Sequence, residues 1–253
     1  MAKPDLMVRI GNFLFRTRNG LFPLFILAVF LITPPPLTLF GTETSPTLKH
    51  GLAIGLLALG LIIRGVVIGF AYIKRGGLKK KVYAENLVTD GMFGVVRNPL
   101  YVGNVLVYLG VFVMHGAIIV VAIGVIATLF AYECIIRAEE AYLRDKFGDG
   151  YDAYCADVPR WMPKLSRFRE STEGMRFNLL KVILNDYTTV ANAVMMLALA
   201  QLYEDRCQPS PAARSQHLGL LAWVIGISIL CVALIAGYKK RADIAKLFGV
   251  KPA

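Results

Sequence analysis

With 253 residues, 56% of them hydrophobic, and a mean hydropathy of +0.57, the chain is too apolar for an ordinary soluble domain. A net charge of +11 would suit nucleic acid in a soluble protein. Here the basic residues flank apolar runs, as membrane orientation signals do, so nucleic acid is excluded as the expected partner.

The basic N-terminus MAKPDLMVRIGNFLFRTRNG reads as an amphipathic lead-in to a retained first helix. It is not read as a signal peptide, because the apolar run behind it meets Pro34, Pro35 and Pro36 and no small-residue cleavage site. A spanning helix needs about 20 mostly apolar residues. Six segments are candidates: Leu21–Phe40, His50–Ile73, Leu100–Met114, Ala117–Ile136, Leu179–Tyr203 and Leu218–Tyr238. The prolines should stop the first near Thr33, and Pro23 suits a first helical turn. The third is too short to cross at full depth and is joined to the fourth by only His115 and Gly116.

The expected fold is therefore all-α, a polytopic membrane bundle of about six transmembrane helices. With the N-terminus in the cytoplasm, 24 Lys and Arg residues fall inside and three outside, and Arg64 lies within the second span. That partition places both termini in the cytoplasm. The expected organisation is a lead-in with two spans over 1–74, a core over 75–168, and two further spans with a basic tail over 169–253. The piece from Arg137 to Lys181 is too short to be an independent enzyme domain, so chemistry must use the membrane helices as walls.

Two polar stretches bracket the expected hairpin. LVTDGMFGVVRNPLY (Leu87–Tyr101) puts Gly91 and Gly94 before Asn98, a fitting N-cap, and Pro99, a fitting first helical residue. On spacing alone it is an ordinary surface turn, with Tyr101 an interfacial anchor and Arg97 one more inside charge. CIIRAEEAYLRDKFGDGYDAY (Cys134–Tyr154) reads as a charged helix growing from the apolar run. Helical spacing sets Glu133, Arg137, Glu140 and Arg144 on one stripe and Ile135, Glu139, Tyr142 and Lys146 on the opposite one. An intrahelical Glu140–Arg144 pair is expected. Glu139 can turn toward protein at the membrane boundary, where a carboxylate needs a cation or donors. Arg64, deep in a span, is a functional candidate by default, against a bland reading as a snorkelling side chain. His50, His115 and His217 are scattered, and Cys134, Cys155, Cys207 and Cys231 show no paired or CxxC spacing. Neither a metal site nor a disulfide framework is expected.

The series RNPLYVG (Arg97–Gly103), an apolar hairpin, then RAEEAYLRDKFGDGYDAYCADVPRWMP (Arg137–Pro163) closely resembles the isoprenylcysteine carboxyl methyltransferases and related phospholipid methyltransferases of membranes. The resemblance covers about Leu78 to Lys164; the last two spans lie beyond it. It implies a methyltransferase that takes S-adenosylmethionine from the cytosol and a lipophilic acceptor from the bilayer, in a multi-pass protein of the bacterial inner membrane or endoplasmic reticulum type. Carried over by position, the cofactor residues are Leu87, Val88, Phe93, Asn98, Pro99, Leu100, Tyr101, Glu139 and Glu140, with Glu139 at the amino-acid end. Two positions depart from the family form: Asn98 stands for the usual histidine, and Ile135 for an arginine that holds the prenylcysteine carboxylate. An aliphatic side chain cannot clamp a carboxylate. Arg137 and Arg64 are the expected catalytic-site residues, with Arg137, Arg160 or Arg64 to supply the missing charge.

Two other classes fit the chain. Sterol reductases, nicotinamide-dependent, resemble the same C-terminal pattern but have more spans, and no GxGxxG follows a strand here. A non-catalytic membrane scaffold would keep the shape without turnover.

Overall fold

A computed structural model describes residues 5–70, 82, 84, 86–207 and 211–247. Among them the chain forms eight α-helices and no strand, the expected class. It divides into Met1–Phe177 and Asn178–Ala253. The expected end of the second span at Ile73, the 74/75 boundary, Leu78 and the His217 side chain lie outside the described residues.

The first unit holds α1 (Leu6–Phe30), α2 (Pro46–Phe70), α3 (Pro99–His115), α4 (Ile118–Phe147), α5 (Asp149–Asp157) and the short α6 (Phe168–Ser171). α1 corrects the first expected boundary: it starts at Leu6, not Leu21, and ends at Phe30, short of Thr33. Pro23 lies inside this helix and not in a first turn. The cause is tertiary. Gly11, Phe15, Phe22, Ile26 and Val29 are buried along one face, so the basic lead-in and the apolar run form a single packed stripe. Phe22 and Ile26 on either side of Pro23 offset its missing donor. A Cβ on Gly11 would collide with the Cys134 carbonyl, so α1 lies directly against the α4 backbone.

Among the described residues five helices are long and apolar enough to cross a membrane: Leu6–Phe30, Pro46–Phe70, Ile118–Phe147, Leu179–Cys207 and, within the last helix, Leu218–Arg241. The remaining candidate, the third, is α3, which has 17 residues. That is about 25 Å of helix against a hydrocarbon core of about 30 Å. It is compensated by close packing on α2. A Cβ on Gly60 would stand 2.5 Å from the Gly103 carbonyl oxygen, and one on Gly110 2.6 Å from that of Ala53. Small residues let helix backbones approach within a membrane, where packing replaces the hydrophobic drive. Gly103→Leu should force α2 and α3 apart and cost about 1–3 kcal/mol. The readout is the unfolding midpoint in detergent, and an unchanged midpoint would mean the two helices do not touch there.

At the far end of the hairpin, His115 is buried and its Nε2 lies 3.1 Å from the Thr33 carbonyl and 3.3 Å from that of Phe30. Lys49 Nζ donates to the Pro36 carbonyl at 2.6 Å. These contacts satisfy backbone left over where α1 stops. The apolar residues Leu24, Leu27, Ile62, Ile126 and Phe130 stay exposed, as a lipid-facing surface requires.

The charged stretch Cys134–Tyr154 is two helices, not one. Gly148 breaks it with φ 52° and ψ −129°, a conformation suited to glycine, and α5 restarts at Asp149.

The second unit pairs α7 (Leu179–Cys207) with α8 (Pro211–Leu247). Lys239 Nζ donates to the Leu184 carbonyl at 2.9 Å and lies 5.7 Å from the Tyr187 ring centre. Two polar side chains of α7 bond along the helix: Asn185 donates to the Lys181 carbonyl at 2.8 Å and Gln201 to Asp205 at 3.0 Å.

Candidate functional site

Three helices of the first unit bring opposite charges onto one hydroxyl. Tyr101, at the start of α3, donates to Glu139 Oε1 on α4 at 2.6 Å. Arg18 of α1 donates through Nη1 to the same Tyr101 oxygen at 3.4 Å, with its guanidinium 4.3 Å over the Phe15 ring. Glu139 thus turns inward while Glu140, one residue on, turns to the other side, as the helical spacing of the two stripes requires. Behind this trio lies an aromatic cluster: the Tyr101 and Tyr132 rings are 5.1 Å apart, Phe22 and Tyr108 5.4 Å, and Phe22 and Tyr132 5.7 Å. Val82 and Trp161 pack against it.

Glu140 corrects the expected intrahelical pair. Its buried carboxylate forms a two-point ion pair with Arg160 and a further ion pair with Arg97, whose Nη1 lies 3.3 Å away. Arg160 also reaches Glu133 Oε1 at 2.9 Å, and the Glu140 bond is the chief cause that raises the Arg160 pKa above its ordinary value. Arg144 turns instead to Asp152 at 2.8 Å, both exposed. Arg97, read as one more inside charge, is therefore a structural arginine that ties the loop before α3 to α4. Its Nη1 also donates to Cys155 Sγ.

The loop carrying Leu87, Val88 and Phe93 is fixed by the segment after α5. Arg97 N donates to the Pro159 carbonyl and Lys164 N to that of Val95, both at 2.9 Å. The Tyr154 hydroxyl donates to the Phe93 carbonyl at 2.7 Å, and Ser171 Oγ to that of Gly91 at 2.6 Å. Burial pushes the Tyr154 phenol up, which keeps it a donor. Leu87, Val88, Phe93, Asn98 and Leu100 are half-buried and Pro99 is buried. Asn98 holds the N-cap position and Pro99 the first turn, but the Asn98 amide caps nothing: it donates to the Arg160 carbonyl at 3.2 Å. A cavity of about 430 Å³ opens beside the loop, lined by Thr89, Asp90, Tyr154, Asp157, Arg167 and Ser171 among others, and neither Tyr101 nor Glu139 lines it.

The two expected catalytic arginines are not brought together. Arg137 is exposed and held by Glu133, one turn earlier, at 2.9 Å. Arg64 is buried between α2 and α3, bonded to Asn104 Oδ1, with its stem against Gly103. The missed residue is Arg18. By sequence it reads only as a basic flank, although Gly11, Phe15, Arg18, Phe22, Ile26 and Val29 recur at intervals of three and four along the packed face of α1. Among the described residues no three His, Cys, Asp or Glu side chains converge as metal ligands.

The model of the phospholipid methyltransferase family matches residues 48–150, from α2 through Tyr101, Glu139 and Glu140 into α5. Over 199 residues the chain is 31% identical to the cobalt-zinc-cadmium resistance protein CzcN of Cupriavidus metallidurans, covering 77% of this chain and 84% of that protein. The chain belongs to the phospholipid methyltransferase family.

Two further similarities are partial. The nickel-cobalt-cadmium resistance protein NccN of Alcaligenes xylosoxydans xylosoxydans is 37% identical over 35% of this chain and 42% of its own. The protein-S-isoprenylcysteine O-methyltransferase of Schizosaccharomyces pombe is 32% identical over 44% of this chain and 48% of its own. No solved structure matches. Membership of the phospholipid methyltransferase family, together with five apolar helices, supports a multi-pass membrane methyltransferase. Ile135, where the resemblance leads one to expect an arginine, is fully buried in the aromatic cluster beside Tyr132. Arg18 and Arg160, which meet the matched residues Tyr101 and Glu140, lie outside the matched segment.

Proposed function

We propose that the chain transfers a methyl group from S-adenosylmethionine to a lipophilic acceptor drawn from the bilayer. One observation carries this reading: Tyr101 and Glu139, from separate sequence stretches, meet at 2.6 Å where the third and fourth helices leave their apolar segments. The residues fit the cofactor. Glu139 Oε1 is taken by Tyr101, while Oε2 accepts no hydrogen bond among the described residues, so a half-buried carboxylate has room for an ammonium group. The adjoining Tyr101, Tyr132 and Phe22 rings suit a sulfonium cation.

S-adenosylmethionine supplies an already activated methyl group, so the protein's task is alignment and exclusion of water, without a covalent nucleophile. Tyr101 and Glu139 orient the amino-acid end, and the Arg97–Glu140–Arg160 cluster holds the loop against α4 so that the two ends stay together. The site and both termini face the cytoplasm, in keeping with 24 of 28 Lys and Arg residues on that side. With Ile135 buried among aromatic rings and Arg160 occupied by two glutamates, nothing at the family's arginine position clamps a carboxylate, which favours an acceptor other than prenylcysteine.

Purified protein incubated with a total membrane lipid extract and methyl-labelled S-adenosylmethionine should label one lipophilic species, whose methylated atom identifies the acceptor. Binding of NADPH with no transfer of label would overturn the proposal in favour of a reductase. Binding of S-adenosylmethionine with no transfer would favour the scaffold.

A further inference from the structure

We propose that Arg18 of α1 binds the α-carboxylate of the methyl donor, so that the amino-acid end is held between a guanidinium and a carboxylate that share the Tyr101 hydroxyl. The assignment rests on the function proposed above. Arg18 and Glu139 are joined through Tyr101, at 3.4 and 2.6 Å, and not by a direct ion pair. Their charged groups therefore stand no further apart than those two bonds laid end to end. Each keeps unused valence: the other Arg18 N–H groups have no acceptor among the described residues, and neither has Glu139 Oε2 a donor.

A pair of opposite charges spaced by one hydroxyl is complementary to an α-amino acid, whose ammonium and carboxylate are a few bonds apart. Ammonium on Glu139 and carboxylate on Arg18 would pair each of these four charges, the condition on which half-buried ions are tolerated, and leave the sulfonium charge to the aromatic rings. The guanidinium is aimed rather than loose. The Phe15 ring lies under it at 4.3 Å, and Phe15 is itself buried against α4. An arginine on the packed stripe of an apolar helix is costly unless it faces a partner or a polar cavity. α1 precedes the 48–150 segment that carries the family match, so this contact lies outside that segment.

The test is a binding measurement on the full chain in lipid nanodiscs, comparing S-adenosylmethionine with decarboxylated S-adenosylmethionine, which lacks only the carboxylate. Wild type should prefer the intact compound by roughly ten- to a hundredfold, the worth of one charge-assisted contact. Arg18→Gln should bring the intact compound down to the affinity of the decarboxylated one and leave the latter unchanged, and Arg18→Lys should restore part of the preference. Equal weakening of both compounds would overturn the assignment, because Arg18 would then only support Glu139. Unchanged affinity for both would also overturn it, assigning Arg18 to a lipid phosphate or to the acceptor. Should Arg18→Gln fail to fold, the wild type still decides, since equal affinities for the two compounds are incompatible with a carboxylate contact. A wild type that binds neither removes the proposed function itself and this assignment with it.

Discussion

Glu140→Ala is expected to be the most destabilising single change in the membrane-proximal region, lowering stability by about 2–4 kcal/mol. The carboxylate it removes is buried and ion-paired to Arg97 and Arg160, whose side chains are 16% and 29% exposed. Without it, among the described residues Arg160 keeps only Glu133 and Arg97 keeps only the Cys155 Sγ contact, and the buried Arg97 Nε already lacks an acceptor. An orphaned, half-desolvated cation is what makes the loss of one partner so much more costly than the pair was worth. Partial exposure of Arg160 keeps the figure below that of a fully enclosed pair. Arg144→Ala is the internal control. Its partner Asp152 is exposed, and such surface pairs contribute about 0–1 kcal/mol. Apparent melting temperatures of both variants in detergent check the contrast; comparable losses would show that the Glu140 cluster is solvated.

Glu139→Ala should show the opposite pattern. Affinity for S-adenosylmethionine is expected to fall roughly ten- to a hundredfold, since a charge-assisted contact is worth about 1.5–3 kcal/mol. Stability should change by only about 1 kcal/mol, the ordinary value of the one hydrogen bond from Tyr101. Titration calorimetry and thermal unfolding on the same preparation separate the two effects. Unchanged affinity would remove Glu139 from the site.

Why the helices were readable and the ion pairs were not follows from the range of each interaction. Apolar runs such as Leu100–Met114 and Leu179–Tyr203 are local signals, and α3 and α7 follow them to within a few residues. The hairpin and the inward turn of Glu139 also follow from local spacing. The start of α1 was hidden because Arg9, Arg16, Arg18 and Pro23 lower the hydropathy of a stretch that is held by packing on α4. Gly148 divides what charge periodicity alone joins into one helix. Pairing was the least legible: i,i+4 spacing assigned Glu140 to Arg144, but Arg160, twenty residues further on, takes it once the segment after α5 folds back on the loop. Arg18 and Tyr101, 83 positions apart, meet only because α1, α3 and α4 converge. Arg18 precedes both the 48–150 family match and the Leu78–Lys164 resemblance, so it could not be carried over as a motif residue, and the motif stretch that holds Arg160 does not say which carboxylate it meets.

On the proposed function, the methyl donor lies where Tyr101 and Glu139 meet. Ultraviolet irradiation of the full-length protein with methyl-labelled S-adenosylmethionine, followed by peptide mapping, locates it directly. Label should concentrate on the peptides that contain Tyr101 and the 132–139 turn of α4, and unlabelled S-adenosylmethionine should suppress it. Label confined to Thr89, Asp157 and Ser171 around the neighbouring cavity, with Tyr101 and Glu139 untouched, would contradict the account.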